Sequence, residues 1–130
     1  MNMVLRDQLY SVYNKKKEGD SFIYTIELNP QHFIYKAHFP TEPITAGVCI
    51  VQIANELLED ALGEMLEIKV IKNVKFISTI TPDKNIHVVF KIEKISDTNE
   101  GDVKMQSLVC DKDILLSKIS LICRRTNNDI

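Results

Sequence analysis

The segment from His38 to Glu56 gathers the residues of this chain best suited to chemistry: H-F-P-T-E-P-I-T-A-G-V-C-I-V-Q-I-A-N-E. His38 supplies an imidazole, which titrates near neutral pH and can accept or return a proton during a reaction. Gly47 opens a run of helix-forming residues. The N-terminus of a helix presents backbone N–H groups and suits an oxygen that gains negative charge. With no Cβ, Gly47 also lets a ligand come close to the backbone. Gln52 and Glu56 follow one helical turn apart, on one face. Gln52 can hydrogen-bond a hydroxyl or a water but has no acidic proton to give, whereas Glu56 has a carboxyl. Each residue also has a plainer account. His38 beside Phe39 is compatible with a packed histidine, and a helix glutamate usually faces solvent or pairs with lysine.

The elements that must position these groups are readable from periodicity. Gly47 to Leu62 reads as a helix, roughly 24 Å long at 1.5 Å per residue. Its first half (Val48, Cys49, Ile50, Val51, Ile53, Ala54) is apolar on nearly every side, so it must be buried. Gln52, Asn55, Glu56 and Glu59 share one stripe, and Gly63 fits a C-cap. Before the helix, Val4, Leu5, Leu9 and Val12 fit a short helix or a strand near Tyr10–Tyr13, and N-K-K-K-E-G-D reads as a turn. Ser21–Leu28 alternates as a strand, with Phe22, Tyr24, Ile26 and Leu28 on one face. His32–Ile44 reads as a loop because Pro40 and Pro43 forbid regular structure. After the helix come one long or two short strands in Leu66–Ile80, then strands at Ile86–Ile95, Val103–Cys110 and Ile114–Cys123. The last two are joined by a tight hairpin at Asp111-Lys112-Asp113. The tail from Arg124 is polar and expected to fray. This order predicts an α+β domain over residues 1–130, a curved antiparallel sheet wrapped around one buried helix.

Composition narrows the function. The 130 residues are 45% hydrophobic and 26% charged, with a net charge of -2, and give no pull toward nucleic acid. There is no apolar run long enough for a membrane span and no signal-peptide pattern at the start. Cys49, Cys110 and Cys123 match no zinc or redox spacing and read as buried free thiols, which points to a reducing, cytoplasmic setting. No metal cluster is expected. His32 and His87 have no evident partners, and His87 falls on the outward side of its strand. Lys15–Lys17 would suit an acidic partner or, more simply, a solvated turn.

The His38–Glu56 segment resembles the active-site stretch of the hotdog-fold β-hydroxyacyl-acyl carrier protein dehydratases. Their motif runs His-Phe-Pro-Gly, a gap, Pro, a gap, Pro-Gly-Val, then an acidic helix residue. His38, Phe39, Pro40, Pro43, Gly47 and Val48 match in identity and spacing. Val74-Lys75-Phe76 followed by Pro82-Asp83 echoes a second family pattern, and the resemblance runs from about residue 21 to 123. Three positions depart from it: Thr41 in place of Gly, Ala46 in place of Pro, and Gln52 in place of Glu or Asp.

The resemblance implies elimination of water from a 3-hydroxyacyl thioester, carried on acyl carrier protein or coenzyme A, in fatty-acid or polyketide-like synthesis, with no cofactor. His38 would be the base, and Gly47, Val48 and Phe39 would contact substrate. Gln52 or Glu56 would assist the departing hydroxyl. The site would lie between the subunits of a homodimer or a larger assembly. Two other outcomes fit the altered motif: a thioesterase in which Gln52 and Glu56 hold a water, or a catalytically silent subunit that binds acyl chains or a partner.

Overall fold

A computed structural model of the chain describes residues 4–38 and 43–126, the His38 side chain excepted. Phe39, Pro40 and Thr41 of the motif lie outside the described residues. The elements are β1 (Tyr10–Glu18), β2 (Ser21–Leu28), α1 (Phe33–His38), α2 (Gly47–Leu62), β3 (Leu66–Phe76), β4 (His87–Asp97), β5 (Val103–Asp111) and β6 (Ile114–Arg125). All strand pairings are antiparallel, in the order β1-β2-β4-β5-β6-β3. This is the hotdog arrangement, a curved sheet holding α2 against its concave face.

The strand pattern explains that packing. Alternate residues point to one side of a strand, and Tyr24, Ile26, Leu28, Val88, Phe90, Ile92, Val103, Met105, Val109, Ile119 and Leu121 are all buried. They meet Ile53, Ala54, Leu57 and Leu58 of α2, none more than 1% exposed. Each such aliphatic side chain contributes about 1.5–3 kcal/mol by leaving water. The helix ends where Gly63 takes the left-handed conformation (φ 65°) and donates its N–H to the Glu59 carbonyl at 2.8 Å, a turn that glycine makes without steric penalty.

Six sequence expectations need correction. The lysine-rich stretch expected as a turn is the second half of β1, and the turn falls at Gly19-Asp20, with Gly19 at φ 59°. β1 is an edge strand, where lysines are tolerated because one side meets water. Lys15 and Lys17 also lie over the Tyr24 and Phe22 rings, at 5.9 and 5.6 Å. Within the expected loop His32–Ile44, residues 33–38 form α1: a proline restricts itself and its predecessor, which leaves 33–38 free to coil. The tail does not fray at Arg124. β6 runs to Arg125, whose guanidinium binds Glu64, Asp97 and the Gly101 carbonyl. Val48, expected in the core, is 70% exposed. His87 has partners the sequence did not reveal, since its ring stacks on Tyr13 at 4.3 Å and meets Glu27 at 3.1 Å. Cys49 and Cys123 are buried free thiols, while Cys110 is half-buried.

Candidate functional site

Two hollows flank α2. The first, about 430 Å³, lies at its N-terminal end, between Ile44–Gly47 with Ile50 on one side and Phe76–Ile80 on the other. The walls are stitched by the Thr45 N–H, which donates to the Ile80 carbonyl at 2.7 Å. The Thr45 hydroxyl is buried and shares a 3.0 Å hydrogen bond with the Tyr35 hydroxyl. Burial raises the Tyr35 phenol above its ordinary pKa, with Thr45 opposing in part. This contact ties α1, whose last residue is His38, to the wall of the groove.

Gly47 has a specific steric reason to be glycine. A Cβ there would sit 2.6 Å from Cζ of Phe76, inside any van der Waals contact. The space that the sequence reading reserved for a ligand is bounded by this ring, which is itself 51% exposed at the groove mouth. Ahead of Gly47, Ala46 is extended (φ -63°, ψ 143°) and supplies no side-chain cap, so no side chain competes for the N–H groups of the first turn.

The second hollow, about 420 Å³, lies along the polar stripe of α2, closed by Val4, Arg6 and residues 63–66. Gln52 and Glu56 meet here, with Gln52 Nε2 donating to Glu56 Oε2 at 3.1 Å. The same carboxylate accepts from the backbone N–H groups of Leu5 (2.8 Å) and Arg6 (2.9 Å) and from the Tyr10 hydroxyl (2.9 Å). Four donors thus converge on two oxygens. Burial and the Glu56 charge push the Tyr10 phenol far up. Asn55 bridges the Leu66 carbonyl (3.3 Å) and Cys123 Sγ (3.2 Å), and burial pushes that thiol up to about 12. Asp60 accepts from Lys15, Arg6 and Tyr24 at 2.7–2.8 Å. Chiefly through the Lys15 bond, these hold its carboxyl well below the usual range against a smaller opposing effect of burial. Glu59 shifts the other way: burial raises it, the Leu66 N–H at 2.8 Å opposes, and the Glu56 charge adds to the rise.

A family model described as ApeI-like, ApeI dehydratase, matches residues 14–113. The chain belongs to the ApeI-like dehydratase family. Solved structures show the same fold. The dehydratase heterocomplex ApeI:P from Xenorhabdus doucetiae aligns with a TM-score of 0.67 at 18% identity, covering 87% of this chain and 96% of that one. yhdA from Lactococcus lactis, whose suggested activity is thioesterase, aligns at 0.65 and 12% identity, covering 99% and 100%. An uncharacterized protein from Erwinia carotovora subsp. atroseptica aligns at 0.59 and 16%, covering 87% and 91%. No curated protein matches.

In this ApeI-like chain the motif is split between the hollows. Gly47 lines the apolar groove, while Gln52 and Glu56 line the polar cleft. Tyr35, Thr45 and Phe76 were missed as site-builders. Phe76 carried the one available signal, its place in the Lys-Phe echo. Tyr35 and Thr45 carried none, because neither side chain is charged near neutral pH and their pairing depends on α1, which the sequence reading did not contain. Among the described residues no cluster of His, Cys, Asp or Glu could hold a metal ion, and no helix is long and apolar enough to cross a membrane.

Proposed function

We propose that the chain dehydrates a 3-hydroxyacyl thioester, with the acyl group in the apolar groove and His38 as the single proton-carrying residue. The observation that supports this most is the groove itself, an apolar hollow between the α2 N-terminus and Phe76, anchored through Thr45 and Tyr35 to the helix that ends in His38. The imidazole takes a proton from carbon 2 of the acyl chain, and the C2–C3 double bond forms as the C3–O bond breaks. The imidazolium returns that proton to the departing hydroxyl, which leaves as water. The α2 N-terminus, with the Gly47 and Val48 N–H groups, steadies the thioester oxygen while it carries charge. Phe39 packs on the acyl chain.

In this scheme the Gln52 of one subunit hydrogen-bonds the 3-hydroxyl held in the groove of the facing subunit, and Glu56 enters as a positioning residue, since its oxygens are committed to four donors and one of these is the Gln52 amide. The carrier is acyl carrier protein or coenzyme A, in fatty-acid or polyketide-like synthesis in the cytoplasm. Two copies pair along the open edge of β3, where Val70, Ile71 and Phe76 are 41–53% exposed. Such an apolar, unpaired edge is a template for another chain, and light scattering should return the mass of a dimer or a larger assembly.

The deciding test is enoyl formation from a panel of 3-hydroxyacyl thioesters, with wild type and His38→Ala in parallel. The expected result is turnover in wild type and a loss of about 10²–10⁴-fold in the variant. Equal turnover in the two proteins would overturn the assignment of His38. Free thiol without enoyl product would replace dehydration by hydrolysis, and a wild type inert toward the whole panel would point to a silent, acyl-binding subunit.

A further inference from the structure

The protein carries a net charge of -2, yet the face of the sheet turned away from α2 is rich in lysine. Across β4, β5, β6 and β3, one row on that face reads Lys91, Leu108, Lys118, Lys75. Lys118 and Lys75 are therefore direct cross-strand neighbours, an arrangement that weakens a sheet on its own. The next row reads Glu93, Gln106, Ser120, Asn73.

Two irregularities interrupt the ladder beside this second row, one in β3 between Ile71 and Asn73 and one in β4 between Glu93 and Ser96. Each contains a lysine, Lys72 and Lys94. The Lys94 backbone is left-handed at φ 53°, a conformation that side chains other than glycine, asparagine and aspartate seldom adopt. Both lysines, with Lys104 of β5, line a depression of about 290 Å³ completed by Asn73, Gln106 and Ser120. No carboxylate lines it. Glu93, the acidic residue of that row, is engaged by Gln106 Nε2 and Lys91. None of the three lysines forms an ion pair among the described residues.

Lysines on an edge strand can be explained as a guard against strand pairing. That account covers Lys72 but not Lys94 and Lys104, which lie on interior strands. We infer that Lys72, Lys94 and Lys104 form a binding site for a phosphate group. Three ammonium charges around one concavity suit a compact, multiply charged anion, for which lysine acts as a point charge. The amides of Asn73 and Gln106 and the Ser120 hydroxyl offer further donors. A β-bulge re-aims a side chain, and here two bulges aim two lysines into one hollow. The inference is independent of the dehydratase reading and is tested without turnover.

The test is calorimetric titration of the full chain, at low salt, with inorganic phosphate, pyrophosphate and a nucleoside 3′,5′-bisphosphate. Wild type should bind at least one of them saturably, and the tightest probe distinguishes a nucleotide source from a free phosphate. Lys104→Gln and Lys94→Gly should each weaken binding by about tenfold, while Lys16→Gln on β1 leaves it unchanged. Added salt should weaken it further. Lys94→Gly also separates ligand binding from structure, because glycine accepts the left-handed bulge and the melting temperature should hold or rise as binding falls. Absence of saturable binding to all three probes would overturn the inference. So would affinity unchanged in both variants, or a Lys94→Gly protein that loses stability instead of affinity.

Discussion

The two hollows beside α2 have nearly the same volume, about 430 and 420 Å³, but they are built in different ways. In the groove at the N-terminal end, the polar contacts (Thr45 with Tyr35, Thr45 with Ile80) hold the walls together, and the space is lined mainly by apolar side chains and the start of α2, with Ser78 and Thr79 beside them and no charged group. In the cleft along the polar stripe, four carboxylates (Glu56, Glu59, Asp60 and Glu64) line the space, and each is answered by donors of the protein's own N-terminal segment, β1, β2, α2 itself, the start of β3 or the end of β6. Glu56 alone holds Leu5, Arg6, Tyr10 and Gln52. A ligand entering the groove displaces water from apolar surface, whereas one entering the cleft must compete with hydrogen bonds that the fold needs. Acidic residues collected in one cleft therefore do not by themselves mark a reactive site. What matters is whether their acceptor capacity is already used.

Glu56→Ala tests this contrast most severely. It leaves a buried Leu5 N–H, a part-buried Arg6 N–H and the Tyr10 hydroxyl without their acceptor, at about 1–3 kcal/mol for each group left unsatisfied. We expect denaturant unfolding to show a loss of about 3–5 kcal/mol. Turnover, measured where the variant is still folded, should fall by less than about tenfold, through a loosened Gln52. Full stability with abolished turnover would invert the comparison and make the cleft the reacting site.

How much of this was legible in advance follows from the range of each interaction. The α2 boundaries, the Gly63 cap and the inward faces of β2 and β4 were readable because helix and strand periods are local properties of the chain. The importance of Gly47 was readable, but the reason was not: its neighbour Phe76 arrives from the end of β3, and nothing local predicts a 2.6 Å approach. Likewise Gln52 and Glu56 were correctly placed on one face. The partners of Glu56 at Leu5 and Arg6, however, are 51 and 50 positions away and belong to a segment read only as helix or strand. The β1 lysines were misread because strand propensity is set by the neighbour. Tyr24 and Phe22 supply rings for lysines that in isolation look like a turn.

Gly47→Ala probes the groove side. The added methyl must displace the Phe76 ring, which is half-exposed and can swing away, so stability should change by no more than about 1 kcal/mol. The groove mouth changes shape, and KM for a thioester substrate should rise by about tenfold, the scale expected when one methyl disturbs an apolar pocket. A much larger loss of stability with KM unchanged would show that Phe76 belongs to the core and not to the rim.

Asp60→Asn has a smaller effect, set by pH. The folded carboxyl lies below its ordinary range, so its contribution is complete above the unfolded value near 4 and is lost as pH falls below that. Arg6 and Lys15 are 37% and 52% exposed, and solvent screening limits the gap to about 1 kcal/mol at pH 7. Wild-type and variant stabilities should converge below pH 4, and a constant gap down to pH 2 would remove the ionic explanation.

Glu59→Gln reverses the sign at the adjacent position. Burial and the Glu56 charge raise the Glu59 carboxyl, so the folded state holds its proton more tightly than the unfolded chain. Stability linked to Glu59 is therefore complete below the unfolded value, about 4.3, and declines as pH rises through the raised folded value. Glutamine keeps an oxygen to accept the Leu66 N–H and carries no charge to desolvate. The variant should match wild type below pH 4 and exceed it by up to about 1 kcal/mol at pH 7. A variant less stable than wild type at pH 7 would mean that the ionised carboxylate strengthens the Leu66 bond by more than its burial costs. The cleft would then be better optimised as an ionic structure than the comparison with the groove implies.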